Sequence, residues 1–334
     1  MWHYSSCEVR GKGHIKTKRP CQDKTKAIYK KKTYVIALSD GAGSAEFSRD
    51  GASCVVDTIT KLFTERFDEL FSIENGVIVK EIIMKTLLDE LIALSETMMC
   101  DINKLASTLL AVAVNKERFI VCHIGDGVIG YLYKNELKVA SSPRNGEYAN
   151  ETHFVTSKDA MNYLRIYKGS TDSIGGFVIM SDGTQQSLYN KMTNSLSNGV
   201  LKLMLRNNIL DKLTIKRQLK TTFNNTIAKK TFDDCSIALL TRENEYLHSY
   251  SEFSYEEKCE LFGIDKNSAH SDKHIKRMER ILDILKNPVS IKKLSVELRH
   301  ETKDIRKYLN KLIAIGLVKK HNGFYSYKKR IRKM

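Results

Sequence analysis

ALSDGAGS, residues 37–44, is an apolar run that stops at an aspartate and a glycine. The run starts at Tyr34 and is short enough for a buried strand, with Ser39-Asp40-Gly41 as its exit. Moving outward, the same pattern returns. Phe119–Ile124 leads into Gly125-Asp126-Gly127, Phe177–Met180 leads into Ser181-Asp182-Gly183, and Asp233-Asp234 stands just before Ser236–Leu240. Gln22-Asp23 supplies a further acidic position on the N-terminal side. A carboxylate at a strand end is a natural ligand for a hard cation, because the strand fixes its position. Several carboxylates gathered at one end of a sheet repel unless cations sit between them. Oxygen ligands with retained waters point to Mg²⁺ or Mn²⁺. One Asp-Gly alone is a turn signal; the order and spacing of all five acidic positions carry the inference.

The rest of the chain fits an α+β domain followed by something smaller. Thr108–Val114 reads as another strand, and Val128–Tyr133 and Leu137–Ala140 flank the turn Lys134-Asn135-Glu136. Ala52 to Phe67 and Val77 to Met98 repeat apolar residues at helical spacing. Strands mixed with paired helices predict a layered α+β architecture. Glu243 to His270 is polar and reads as a linker with room for one short helix. Helical periodicity then returns at Ile275–Leu285, Ile291–Leu298 behind a Ser290 cap, and Lys303–Ile315 behind Thr302, with Gly316 as a C-terminal stop. Leu317–Lys320 and Phe324–Lys328 flank His321-Asn322-Gly323, a strong hairpin signal. Three helices and a hairpin are the order of a winged helix-turn-helix. The expected domains are residues 1–245, a linker at 246–270, and 271–334.

Charge divides along the same boundary. The formal net charge is +16, yet Ser268–Met334 alone holds 19 Lys and Arg against 6 Asp and Glu, so the longer part is almost neutral. Such asymmetry predicts an anionic partner for the tail. Seven cysteines are scattered without a C-x-x-C pair, which argues against a structural zinc site and for reduced thiols in a cytoplasm. No apolar run approaches a membrane span and the polar, basic N-terminus lacks a signal-like core, so no membrane association is expected.

Taken together, GHIKTKRPCQD at 13–23, ALSDGAGS at 37–44, STLLAVAV at 107–114, HIGDGVIG at 123–130, VIMSDGT at 178–184 and DDCSIALL at 233–240 resemble the metal-dependent protein phosphatases of type 2C, the PPM family, especially its bacterial branch. The resemblance implies a layered α-β-β-α domain with two central antiparallel sheets. It implies hydrolysis of phosphoserine and phosphothreonine in proteins by a hydroxide held between two Mn²⁺ or Mg²⁺ ions, with a cognate serine/threonine kinase as counterpart. Asp40 would bridge the two ions and the Gly41 carbonyl would ligate one. Asp182 and Asp233 would complete the first shell, Asp23 would hold metal-bound waters beside Gln22, and Asp126 marks the place of a third ion in some members. A basic residue just before Asp23 would grip the substrate phosphate: Lys18 matches by spacing, Arg19 by chemistry.

Two positions depart from the family pattern. Ala42 stands where many members carry a histidine proposed to protonate the leaving group, leaving His14 and His123 as substitutes, and Gln22 replaces a common glutamate. In the tail, Lys303, Arg306, Lys307, Lys311 and Lys328 form a basic set suited to DNA phosphates or to docking on a protein, so the tail would localise the enzyme to DNA or to a partner. The residues also leave a second reading open: a DNA-binding regulator whose phosphatase-like domain senses a ligand or partner.

Overall fold

The structure, a computed structural model, describes residues 1–134, 136–143, 152–210, 212–242, 254–262, 264–314 and 317–327. The expected turn residue Asn135, the helix end at Ile315 and Gly316, and the basic residue Lys328 lie outside the described residues, as do 246–253 of the expected linker. The chain divides into two compact units: Met1–Asn207 with Lys216–Glu243, and Asn208–Ile215 with Asn244–Met334.

In the first unit the strands are β1 (Trp2–Val9), β2 (Lys24–Lys30), β3 (Thr33–Ser39), β4 (Leu109–Asn115), β5 (Arg118–Ile124), β6 (Val128–Tyr133), β7 (Glu136–Ser141), β8 (Arg165–Ser170), β9 (Ile174–Met180), the short pair β10 (Tyr189–Asn190) and β11 (Ser195–Leu196), and β12 (Cys235–Arg242). The helices are α1 (Lys12–Lys16), α2 (Ser48–Ser72), α3 (Gly76–Thr97), α4 (Ala160–Tyr163) and α5 (Asp182–Leu188), with α6 (Asn198–Ile209) up to Asn207 and α7 (Lys212–Thr222) from Lys216. Two five-stranded sheets form, ordered β1-β12-β9-β6-β7 and β2-β3-β4-β5-β8. Every neighbouring pair in both is antiparallel.

Burial explains why β3 and β4 read as unbroken apolar runs. Val35, Ala37, Leu109, Ala111 and Ala113 face α2 and α3, packing on Val55, Ile59, Phe63, Ile83 and Leu87. The alternate residues Ile36, Leu38, Leu110, Val112 and Val114 meet Ile129, Phe177, Ile179 and Leu240 of the other sheet. A strand buried on both faces has no polar side, so period-two alternation disappears from its sequence. Burying each such side chain contributes about 1.5–3 kcal/mol. The outer face of the first sheet is covered in turn: Asn207 of α6 accepts a 2.6 Å hydrogen bond from Ser5 Oγ and donates to Thr241 Oγ1 at 2.8 Å. The order of layers is helices, sheet, sheet, helices.

The edge strands β1 and β2 are absent from the sequence-based reading. Their exposed faces carry Ser6, Glu8, Lys24, Lys26 and Lys30, and polar, lysine-rich edges blunt unwanted strand pairing while hiding the hydrophobic signal.

In the second unit, α8 (Tyr255–Phe262) falls inside the stretch expected to be linker. It is followed by α9 (Ser271–Ile284), β13 (Val289–Ser290), α10 (Ile291–Leu298), α11 (Thr302–Ala314), β14 (Val318–His321) and β15 (Phe324–Tyr327). The Ser290 hydroxyl accepts from Lys293 N at 3.3 Å and caps α10 as expected. Ser290 also belongs to β13, whose pairing of Val289 with Tyr325 makes a three-stranded sheet ordered β13-β15-β14. Ile275, Met278, Ile281, Leu294, Leu298, Ile305, Leu309 and Leu312 are buried, one apolar face from each of α9, α10 and α11.

Candidate active site

Strand register brings the acidic positions to one end of the two sheets. In one sheet, β2 starts at Lys24 opposite Ser39, the last residue of β3, so Asp23 and Asp40 both lie just beyond that end. In the other, Met180 at the end of β9 pairs with Val128 at the start of β6 and with Ile237 near the start of β12. Asp126, Asp182 and Asp233 therefore flank the same end. Alternating strand direction does this automatically: the exits of β3, β5 and β9 and the entries of β2, β4, β6 and β12 share one edge.

The turns are held by short contacts. Asp40 N donates to Thr108 Oγ1 at 2.9 Å, Thr108 N donates to Asp40 O at 2.8 Å, and Gly41 bridges to Ser107. A Cβ on Gly183 would stand 2.1 Å from the carbonyl oxygen of Asp234, and one on Gly11 would stand 2.1 Å from that of Asp233. Only glycine permits those approaches.

The carboxylates perturb one another. Asp23 is completely buried, and its pKa is pushed up to about 8 by that burial and then by Asp234 and Asp182. Asp40 is raised well above the usual carboxylate range, first by burial and then by Asp23, Asp182, Asp233 and Asp126. Burial, then Asp233 and Asp126, lifts Asp182 to about 6, and Asp233 is raised too, by burial and then by Asp234 and Asp126. Four of the five expected aspartates are thus raised, and the fifth, Asp126, is among the charges that raise Asp40, Asp182 and Asp233. Both carboxylate oxygens of Asp23 and Oε1 of Gln22 are buried without a hydrogen bond of ordinary geometry. Among the described residues, no group of three or more His, Cys, Asp or Glu side chains is arranged to hold a cation by itself. The donor chemistry still suits a hard divalent ion that keeps much of its own water, since clustered, buried and repelling carboxylates gain from an intervening positive charge.

Asp234 was not singled out from the sequence, and the structure gives it a distinct task. Its buried carboxylate accepts from Gly11 N at 2.7 Å and Gln22 N at 2.6 Å, and His14 Nδ1 lies 2.9 Å away. It ties the approach to β2 onto the entry of β12. The available signal was the Asp-Asp pair itself, because adjacent residues near a strand point to opposite sides. Gln22 also donates from Nε2 to Ser48 Oγ at 2.7 Å.

Of the two phosphate-gripping candidates, Arg19 Nη1 donates to the Gly43 carbonyl at 3.3 Å, beside the Asp40 turn. Lys18 is exposed with a left-handed backbone, φ 58°. His123 is fully buried, with Nδ1 2.8 Å from Ser141 Oγ and 2.8 Å from Arg165 Nη2; it is packed away from solvent. His14 is partly exposed and held by Asp234. Burial and nearby carboxylates push the Cys21 thiol far up and the Cys235 thiol up to about 12, so both are packing groups rather than thiolates.

In the second unit, Lys303, Arg306, Lys307 and Lys311 are exposed on α11. Lys307 and Lys311 line a cleft against α9, which Lys303 and Arg306 do not.

Comparison with known proteins agrees with the fold. A family model described as protein phosphatase 2C matches residues 10–224. Serine/threonine-protein phosphatase 3 of Escherichia coli K12 is 26% identical over 199 residues, 58% of this chain and 78% of that protein. The serine/threonine phosphatase Stp1 of Staphylococcus aureus superposes with a TM-score of 0.52 at 13% identity, over 73% of this chain and 96% of its own. A TM-score of 0.50 at 13% identity relates the chain to the catalytic domain of the serine/threonine protein phosphatase PstP, solved with two manganese ions, over 72% and 97%. Among the described residues no helix is long and apolar enough to cross a membrane. With paired antiparallel sheets, acidic strand ends at one edge and a family match across most of the first unit, this chain belongs to the protein phosphatase 2C family and is a serine/threonine phosphatase.

Proposed function

We propose that the first unit hydrolyses phosphoserine and phosphothreonine in protein substrates at the acidic edge of its two sheets, using two Mn²⁺ or Mg²⁺ ions. The observation that carries this reading is the raised pKa of Asp23, Asp40, Asp182 and Asp233, which crowd one another around the buried, unbonded carboxylate oxygens of Asp23. Asp40, the Gly41 carbonyl, Asp182 and Asp233 would hold the ions, with Asp23 orienting their waters and Asp126 beside a third position. Bound there, the ions supply positive charge for the phosphate oxygens and lower the pKa of water near neutrality. Arg19 grips the substrate phosphate, since its guanidinium already reaches the Asp40 loop and offers a planar, two-pronged donor. Asp234 fixes His14 at the rim, where its imidazole can pass a proton to the departing serine or threonine oxygen. This role replaces the one that Ala42 cannot perform.

Purified protein with Mn²⁺ should hydrolyse p-nitrophenyl phosphate and a phosphothreonine peptide. Asp40→Asn should lower both rates by about a hundredfold or more. Turnover that survives this substitution and chelation with EDTA would refute the metal-based reading.

Helices α9, α10 and α11 with the three-stranded sheet that accompanies them support a winged helix-turn-helix, with the domains divided near residues 245 and 271. Exposed Lys303 and Arg306 are suited to the phosphates of a duplex, which are bound with little sequence preference. A serine/threonine kinase is the natural source of the substrates, and the cytoplasm is the compartment that fits the unpaired cysteines.

A further inference from the structure

The cleft in the second unit has a composition that the phosphatase reaction does not use. It encloses about 390 Å³ between α9 and α11, lined by Ile264, His274, Arg277, Asp304, Lys307 and Tyr308, with Lys311 at i+4 from Lys307 on the same helix. Tyr308 is its fixed centre: Arg277 Nη1 donates to the phenol oxygen at 3.1 Å, and His274 Nδ1 lies 2.8 Å from the same oxygen. The guanidinium carbon also stands 5.4 Å from the Tyr308 ring centre. One carboxylate lines the cleft, Asp304, and it is 3.3 Å from Lys307 Nζ. Among the described residues neither Arg277 nor Lys311 has a carboxylate partner. The concavity therefore holds more positive charge than its walls neutralise. Burial and then Arg277, Lys311, His270 and Lys273 hold the His274 imidazole below its usual range, as expected where cations crowd without a counter-ion.

We propose that this cleft binds the phosphate of a phosphorylated side chain, so that the second unit docks phosphoprotein substrates apart from the acidic edge of the first. A phosphate monoester is a compact dianion with three acceptor oxygens, matched by the two-pronged donor of Arg277, the ammonium groups of Lys307 and Lys311, and the Tyr308 hydroxyl. Prior ordering of Arg277 by Tyr308 lowers the entropy cost of capture. A recess of this size accepts one side chain, whereas a duplex presents its phosphates to convex, exposed groups such as Lys303 and Arg306. Because both units belong to one chain, a substrate phosphorylated at two positions would be retained through one phosphate while the other is hydrolysed. The inference rests on the phosphatase activity and is independent of the metal assignment.

The test uses the full-length chain carrying Asp40→Asn, in EDTA, with a fluorescent phosphothreonine peptide followed by anisotropy. The phosphopeptide should bind about tenfold or more tightly than its unphosphorylated twin, and Arg277→Gln or Lys311→Gln should each weaken it by about tenfold. Without the Asp40 change and with Mn²⁺, Arg277→Gln should raise KM for a doubly phosphorylated peptide and leave p-nitrophenyl phosphate turnover as it was, while unchanged urea unfolding of the full chain shows that the second unit still folds. Phosphopeptide affinity that ignores Arg277→Gln overturns the proposal. So does a cleft that holds inorganic phosphate or a DNA duplex, as judged by loss on Arg277→Gln, while failing to hold the phosphopeptide.

Discussion

The two units handle charge in opposite ways. The first buries carboxylates at the ends of rigid strands, where they repel one another and rise in pKa. The second leaves most of its described lysines and arginines exposed, where water and salt screen them. Buried like charges are tolerable when a ligand of opposite sign completes them, and the fold meanwhile carries the strain. Exposed like charges cost the fold little and attract anions over a distance. A catalytic centre needs the first arrangement, and a docking surface can work with the second.

The contrast would break most visibly at Asp234. Removing its carboxylate by Asp234→Ala strands the buried N–H groups of Gly11 and Gln22 and releases His14. The expected cost is about 3 kcal/mol, read from the urea midpoint of the first unit, because each abandoned buried donor costs about 1–3 kcal/mol. An unchanged midpoint would show that this carboxylate is only another repelling acid.

A pH series sharpens the same comparison. Asp23 near 8 and Asp182 near 6 both lie above the ordinary 3.8. A carboxyl raised on folding stabilises the fold below its unfolded value, and that contribution is lost as pH rises through the folded value. In EDTA the melting temperature of the first unit should fall by about 5 °C or more between pH 4 and pH 8. Added Mn²⁺ should restore more stability at pH 8 than at pH 5, since protons compete with the ion. A flat profile in EDTA would mean that the acidic groups do not strain the fold. The second unit, whose charges are exposed, should be nearly indifferent over the same range.

The smallest effect concerns that exposed charge. If the second unit binds duplex DNA, replacing both Lys303 and Arg306 by alanine should reduce the slope of log affinity against log salt by about two. A slope that does not move removes these residues from any nucleic-acid surface.

Much of this was readable in advance where local chemistry fixes local shape. The strands β3, β4, β5, β6 and β9 showed as apolar runs, and α2, α3 and α10 as periodic ones. The edge strands β1 and β2 did not, because an edge with serine and lysine on its open side resembles a loop. The short helix expected somewhere in the polar linker is α8, whose bounds Tyr255–Phe262 the sequence did not give because eight residues show little more than two turns of periodicity.

By itself the sequence determined that aspartates follow strands at Asp40, Asp126 and Asp182 and precede one at Asp233, since Asp-Gly turns and apolar runs are written in neighbouring residues. Only the tertiary structure decided that Asp234 clamps the chain while Asp233 faces the acidic set, that Arg19 rather than Lys18 reaches the Asp40 loop, and that Lys307 and Lys311 meet Arg277 across a cleft. Those outcomes depend on register and on which face each side chain takes. Strand pairing and helix packing set both between segments as many as 223 residues apart, as Gly11 and Asp234 are, and no local pattern records them.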